Sequence, residues 1–170
     1  MKKVLLAIAV LLSVSAFAFD TIPFQLGLWA PRVQMVPDDI NVAGLKLNLV
    51  YGGNKNITGI DIGFASTGEN VSALQLNLIL NQANEQFSGV QLALVNQSEC
   101  SEWLSLGVMN VTADRARGIQ FGVINSAREM RGVQLGLVNY SEIMTGVQLG
   151  LANIIRESPV IFFPFINFCF

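Results

Sequence analysis

The sequence predicts an all-β chain: a narrow parallel β-solenoid of ~14-residue coils with N- and C-terminal caps. Three observations predict it. The stretch Gly132–Asn153 reads GVQLGLVN-YSEIMT-GVQLGLAN, one octet twice at an offset of fourteen residues. Worn copies of that octet fill the chain before it, with position one at Gly44, Gly59, Ala73, Gly89, Trp103, Gly118, Gly132, Gly146 and, after it, Val160. Within each copy apolar and polar residues alternate strictly, the period-two signature of a strand.

The alternation assigns a role to each position. Positions two, four and six are large and apolar throughout: Ile119, Phe121 and Val123 in one copy, Val133, Leu135 and Leu137 in the next. Position three is polar: Lys46, Asp61, Gln75, Gln91, Ser105, Gln120, Gln134 and Gln148. Position five is Gly, Asn or Ala until Pro164. Position eight is Asn at Asn96, Asn110, Asn125, Asn139 and Asn153, a residue that tolerates left-handed backbone and marks a corner. The apolar triplet is expected to pack the core. Gln75, Gln91, Gln120, Gln134 and Gln148 are then expected to form an exposed, flat interaction face. The five asparagines are expected to stack as a corner ladder.

In chain order, residues 1–18 read as a secretory signal peptide: Lys2 and Lys3, an apolar run from Val4 to Val14, and an Ala16-Phe17-Ala18 cleavage site. Residues 19–43 are a lead-in and cap. Its Phe24–Trp29 segment alternates like one more copy, and Pro31, Pro37, Asp38 and Asp39 form a loop. Residues 44–158 are the β-repeat domain. Residues 159–170 are an apolar capping strand that continues the repeat register.

A small antiparallel outer-membrane β-barrel of 8–10 strands is the alternative. It would place alternate turns on opposite sides of a bilayer, so its pattern should recur every two strands; here it recurs every one. Its apolar band should be about 25 Å tall, whereas positions two to six span about 13 Å at ~3.3 Å per residue. Parallel stacking also lays like on like, which favours Gln and Asn ladders. In the barrel's favour, the chain ends in alternating Phe162, Ile166, Phe168 and Phe170. A single coil cannot offset the entropy of ordering its residues, at about 1–2 kcal/mol each, so many copies have to share one core and one hydrogen-bond ladder.

Chemistry is sparse. The chain has no His, which removes the commonest general base and metal ligand. Cys100 and Cys169 are far apart and lack metal-site spacing. No phosphate loop or nucleophile elbow occurs. No catalytic, cofactor-binding or metal-ligating residue is assigned, and no cofactor is expected. Lys46 and Asp61, at position three of adjacent copies, are expected to be neighbours on the exposed face, a surface ion pair worth little. Arg115, Arg117, Arg128 and Arg131 cluster in two turn segments, interleaved with Asp114 and Glu129, as a solvated edge. Twelve acidic side chains against ten basic, two of them in the leader, argue against a nucleic-acid partner. Asn-x-Ser/Thr triplets at Asn56, Asn70, Asn96, Asn110 and Asn139 are read as structural, a product of the corner repeat itself.

The units GVQLGLVN, GIQFGVIN and GVQLGLAN resemble the GxQxGxxN surface repeats of exported proteins of spirochaetes and other bacteria. The lead-in GLKLNLVYGGNKNITGIDIG and the ending FFPFINFCF are similar to the flanks of short members of that group. Trp103 and Ser105 depart from the pattern. The resemblance implies an exported protein of the cell surface, outer membrane or periplasm. The expected function is a structural or partner-binding envelope role without catalysis, toward a protein or other envelope component, with outer-membrane association possible. The alternative function is a small barrel protein or pore.

Overall fold

The computed structural model describes residues 20–170 and is all-β, with stacked parallel coils of about 14 residues. The leader reading falls on residues outside that range. The strands are β1 (Thr21–Trp29), β2 (Val33–Gln34), β3 (Asn41–Leu92), β4 (Val95–Leu106), β5 (Met109–Phe121), β6 (Ile124–Leu135), β7 (Val138–Ile155) and β8 (Phe162–Cys169). They form one sheet in the order β2-β1-β3-β4-β5-β6-β7-β8. β3 runs through several laps without losing its pairing.

From β1 through β3 to β7 every pairing between neighbours in the sheet is parallel, and it lays equivalent repeat positions side by side. Gly118 lies beside Gly132 and Gly132 beside Gly146; Gln120, Gln134 and Gln148 align in the same way. The strands do not run up and down around a ring, so the barrel alternative is set aside. Longer laps are accommodated locally. Where the repeat is 15 or 16 residues long, the register slips between Ala83 and Gln86, Ser98 and Cys100, or Thr112 and Arg115. All these bulges fall just after the small residue that follows the Asn. The octet itself stays in step along the stack.

Both ends of the stack are closed by antiparallel strands. β2 folds back on β1. β8 folds back on β7, pairing Gly146 with Cys169, Gln148 with Asn167 and Ile154 with Phe162. The expected continuation of the register into residues 159–170 is therefore corrected. The chain reverses through Arg156–Pro159, and Ile155 N–H donates to Ile161 O at 2.8 Å. An antiparallel partner ends the parallel ladder at each side, which manages the raw edges a solenoid would otherwise expose.

The sequence expectation is inverted in one respect: the face of each strand that points inward is the polar one. Gln75, Gln91, Gln120, Gln134 and Gln148 are buried, as are Lys46 and Asp61. The apolar triplets point outward; Leu149, next to buried Gln148, and Leu151, beyond Gly150, are 39% and 60% exposed. The interior is completed by the Asn ladder, by small residues such as Ala127 and Ser141, and by one apolar row that includes Phe87, Met130 and Met144.

The physical reason lies in the glycines and amides together. A Cβ at Gly136 would come within 2.5 Å of Gly122 O and 2.6 Å of Asn125 Nδ2; Gly107, Gly122 and Gly150 are equally confined. Position five is Gly in these laps because the preceding lap's carbonyl and an Asn amide together occupy that space. Buried amides are tolerable only when bonded, and stacking supplies those bonds from lap to lap.

Candidate interaction face

Two amide ladders run through the interior. Asn81, Asn96, Asn110, Asn125 and Asn139 each donate Nδ2–H to Oδ1 of the next Asn, at 2.8–2.9 Å, ending on Asn153. From Asn96 on, the remaining N–H goes to a main-chain carbonyl: Leu106, Phe121, Leu135 and Leu149 in turn, at 2.7–3.0 Å. From Asn96 to Asn153 both N–H groups of each amide are bonded, so the asparagines do form the expected ladder, inside the coil. Asn96, Asn110 and Asn139 are thereby closed to modification. The second ladder is shorter: Gln148 donates to Gln134 and Gln134 to Gln120, both at 2.8 Å, and Gln120 donates to Thr112 Oγ1 at 3.1 Å. Of the five glutamines named as an exposed face, three form this interior ladder, Gln91 donates to Ser105 Oγ at 2.6 Å and Gln75 to Asp61 at 2.9 Å; all five are buried and present nothing to a partner.

Lys46 and Asp61 are corrected in the same way. Instead of a surface pair they are a buried polar network. Lys46 Nζ donates to Ser66 Oγ at 2.9 Å and Thr67 O at 3.4 Å. The Asp61 carboxylate accepts Asn48 Nδ2–H at 2.8 Å and Gln75 Nε2–H at 2.9 Å. Burial pushes the Lys46 ammonium down to about 8 and the nearby Asp61 charge opposes that shift. Lys46 and Asp61 are fully buried, and the network ties the early laps together.

The arginines lie on the outer edge of the bulged corner and are paired there. Arg115 and Arg128 both reach Asp114, at 3.3 and 3.2 Å; Arg117 reaches Glu102 at 3.6 Å and Arg131 reaches Glu129 at 2.8 Å. All are solvent-screened and contribute little to stability. Cys100 and Cys169 are free thiols, Cys100 on this corner and Cys169 beside Gly146. Among the described residues no group of three or more His, Cys, Asp or Glu converges as a metal site.

What the molecule presents outward is aliphatic. Positions two, four and six of stacked laps lie side by side, so Ile62, Leu92, Phe121, Leu149 and their equivalents form one continuous sheet face. Its ends are finished by the caps. Phe24 and Leu26 of β1 align with Leu45 and Leu47. Phe168 and Ile166 of β8 lie opposite Val147 and Leu149, while Asn167 between them turns in beside Gln148. A continued parallel repeat register would set Ile166 and Phe168 at positions seven and nine, on the Gln side; the antiparallel reversal places them on the aliphatic side.

Trp103 stands out on this face. It occupies position one, where Gly44, Gly59, Gly89, Gly118, Gly132 and Gly146 have φ between 115° and 151°, and it takes φ 93° itself. A side chain there is strained by about 1–3 kcal/mol. It is also 71% exposed, so no packing within the chain offsets that strain. Sequence reasoning noted Trp103 only as a departure from the pattern; the signal was a bulky residue at a position that is otherwise small or Gly in the body of the array.

No family model matches the chain, and neither a curated protein nor a solved structure matches it.

Proposed function

We propose that this is an exported envelope protein with a structural or partner-binding role: a rigid, polar-cored rod that offers its aliphatic face to another envelope component. The observation that supports it is the outward placement of the apolar triplets. Soluble monomers seldom carry contiguous apolar patches beyond a few hundred Å², and this one extends from β1 to β8. The buried ladders give the rod its stiffness, because every lap is bonded to the next through side chains as well as backbone. The resemblance to exported GxQxGxxN repeats and the signal-peptide-like leader support the envelope address. The binding role expected of the glutamines passes to the leucines, isoleucines and valines beside them.

Expression of the full chain with a C-terminal epitope tag tests the reading. The chain should leave the cytoplasm and sediment with the envelope. Replacing Leu137 and Leu151 by Gln should shift it to the soluble fraction with an unchanged melting temperature. Retention in the cytoplasm would overturn the address, and unaltered sedimentation of the double variant would overturn the role of the face.

A further inference from the structure

We infer that the component contacted by the aliphatic face is the surface of a phospholipid bilayer, with Trp103 and the β8 phenylalanines entering the boundary between headgroups and acyl chains. The inference rests on the envelope-protein reading above and names the partner within it.

Three features of the surface favour a fluid lipid phase over a second copy of the chain. The first is its shape. Four laps bend, at Ala93–Leu94, Gly107–Val108, Gly122–Val123 and Gly136–Leu137, and consecutive residues there, Leu137 and Val138, or Val123 and Ile124, are both exposed. The apolar surface therefore turns a corner. A rigid partner copy would cover one flat side and leave the other wet, whereas acyl chains cover a convex surface on both. The second is the cap. Its phenylalanines are exposed along β8 on both sides of the strand: Phe168 continues the aliphatic face, and Phe165, with φ 70°, is flipped out opposite inward-facing Gly150.

The third is the distribution of charge. From Gly44 to Glu157, apart from buried Lys46 and Asp61, every charged residue falls between position ten of one copy and position one of the next. That places Glu99, Asp114, Arg128 and Glu142 together on the bulged corner. The whole rod is thus amphipathic in the sense that an interfacial helix is: one side apolar, one edge charged, the charged edge left in water. The aliphatic face itself carries no cation, so recognition requires no anionic lipid. Trp103 has the amphipathic ring that favours the headgroup level. Its strained backbone, without internal packing to hold it, is accounted for by a contact outside the chain.

Phosphatidylcholine vesicles are the probe, added to the chain purified from its source cells in whatever processed form they make. The chain should float with the vesicles to the same extent at 0.1 and at about 0.5 M salt, since the interaction is not ionic. In a Trp29→Phe variant, Trp103 fluorescence should be quenched by lipids brominated at shallow acyl carbons. The pair Leu137→Gln and Leu151→Gln should weaken flotation at least tenfold with circular dichroism unchanged. Trp103→Gly should weaken flotation while raising the melting temperature, a combination that a purely structural role for Trp103 does not produce. Absence of flotation, or flotation indifferent to these substitutions, overturns the lipid partner. A stoichiometric dimer in sedimentation, broken by the same leucine changes, would assign the face to a second copy and leave the interaction-face reading standing. Full envelope sedimentation of the leucine variant in cells would bring down both.

Discussion

The early laps and the late laps build the same rod from different interiors. In the late laps, position three is Gln, position five is Gly and position eight is Asn, and the amides of Gln148, Gln134 and Gln120 hand hydrogen bonds along the stack. In β3, Lys46 and Asp61 replace glutamines, and Asn48 sits at position five where later laps carry Gly. The space is conserved by exchange. A Cβ at Gly52 would meet Asn48 Oδ1 at 1.7 Å, so the glycine has moved across the lap to face the asparagine that displaced it. The handover is visible within one lap: Asn77 at position five donates to Asn81 at 2.7 Å, and Asn81 starts the ladder that ends at Asn153. The late interior sets one amide against one missing Cβ, while the earlier laps also accept amide against amide, at Asn77 and Asn81, and a small Ala93 at position five. The rod does not require particular residues at particular positions.

The sharpest way to break that rule is to fill the gap. Gly136→Val sets a branched side chain against Gly122 O and two asparagine amides, and should cost more than ~4 kcal/mol or prevent folding. In β1, Gly27 is the control: a Cβ there would make only ordinary contacts at 3.5 Å, so Gly27→Ala should stay within about 1 kcal/mol by urea denaturation. Next comes removal of one rung. Asn125→Ala orphans an N–H of Asn110 and Oδ1 of Asn139 and takes one of two hydrogen bonds from the carbonyl of Leu135, which keeps Gly122 N–H. At about 1–3 kcal/mol per orphaned group, a loss of about 2 kcal/mol or more is expected in urea denaturation.

The early interior can be separated from the late one by pH. Lys46 titrates near 8 in the folded chain and at 10.5 unfolded. Between those values the unfolded state holds a proton that the folded state has released, so stability must rise with pH from about 8 to about 10.5. The full rise is about 3 kcal/mol at ~1.4 kcal/mol per pH unit. Lys46→Gln should flatten that slope, and a urea midpoint that falls or stays level across the window in the unaltered chain would sink the assignment. Trp103→Gly carries the smallest effect, a gain of about 1 kcal/mol from relieved strain, read as a rise in melting temperature.

Much of this was legible before any coordinates. Fourteen-residue spacing predicted the lap, recurrence on every strand predicted parallel stacking, and the recurring Asn predicted a ladder. The reversal at Arg156–Pro159 was marked by Ser158-Pro159, but the apolar residues after it matched the repeat register well enough to hide the hairpin. Lys46 and Asp61 were visible as a pair and misplaced, because a lysine and an aspartate ordinarily belong in water.

The residues by themselves determined the length of each lap, which side chains share a face and which laps lie side by side, because these follow from a local period. Whether the leucines or the glutamines point inward was decided only by the tertiary structure. An alternating strand reads the same with its two faces exchanged. The choice is made across the lap, where the position-five glycine meets an asparagine from a neighbouring side and stacked amides satisfy one another, a relation between residues that no single strand contains.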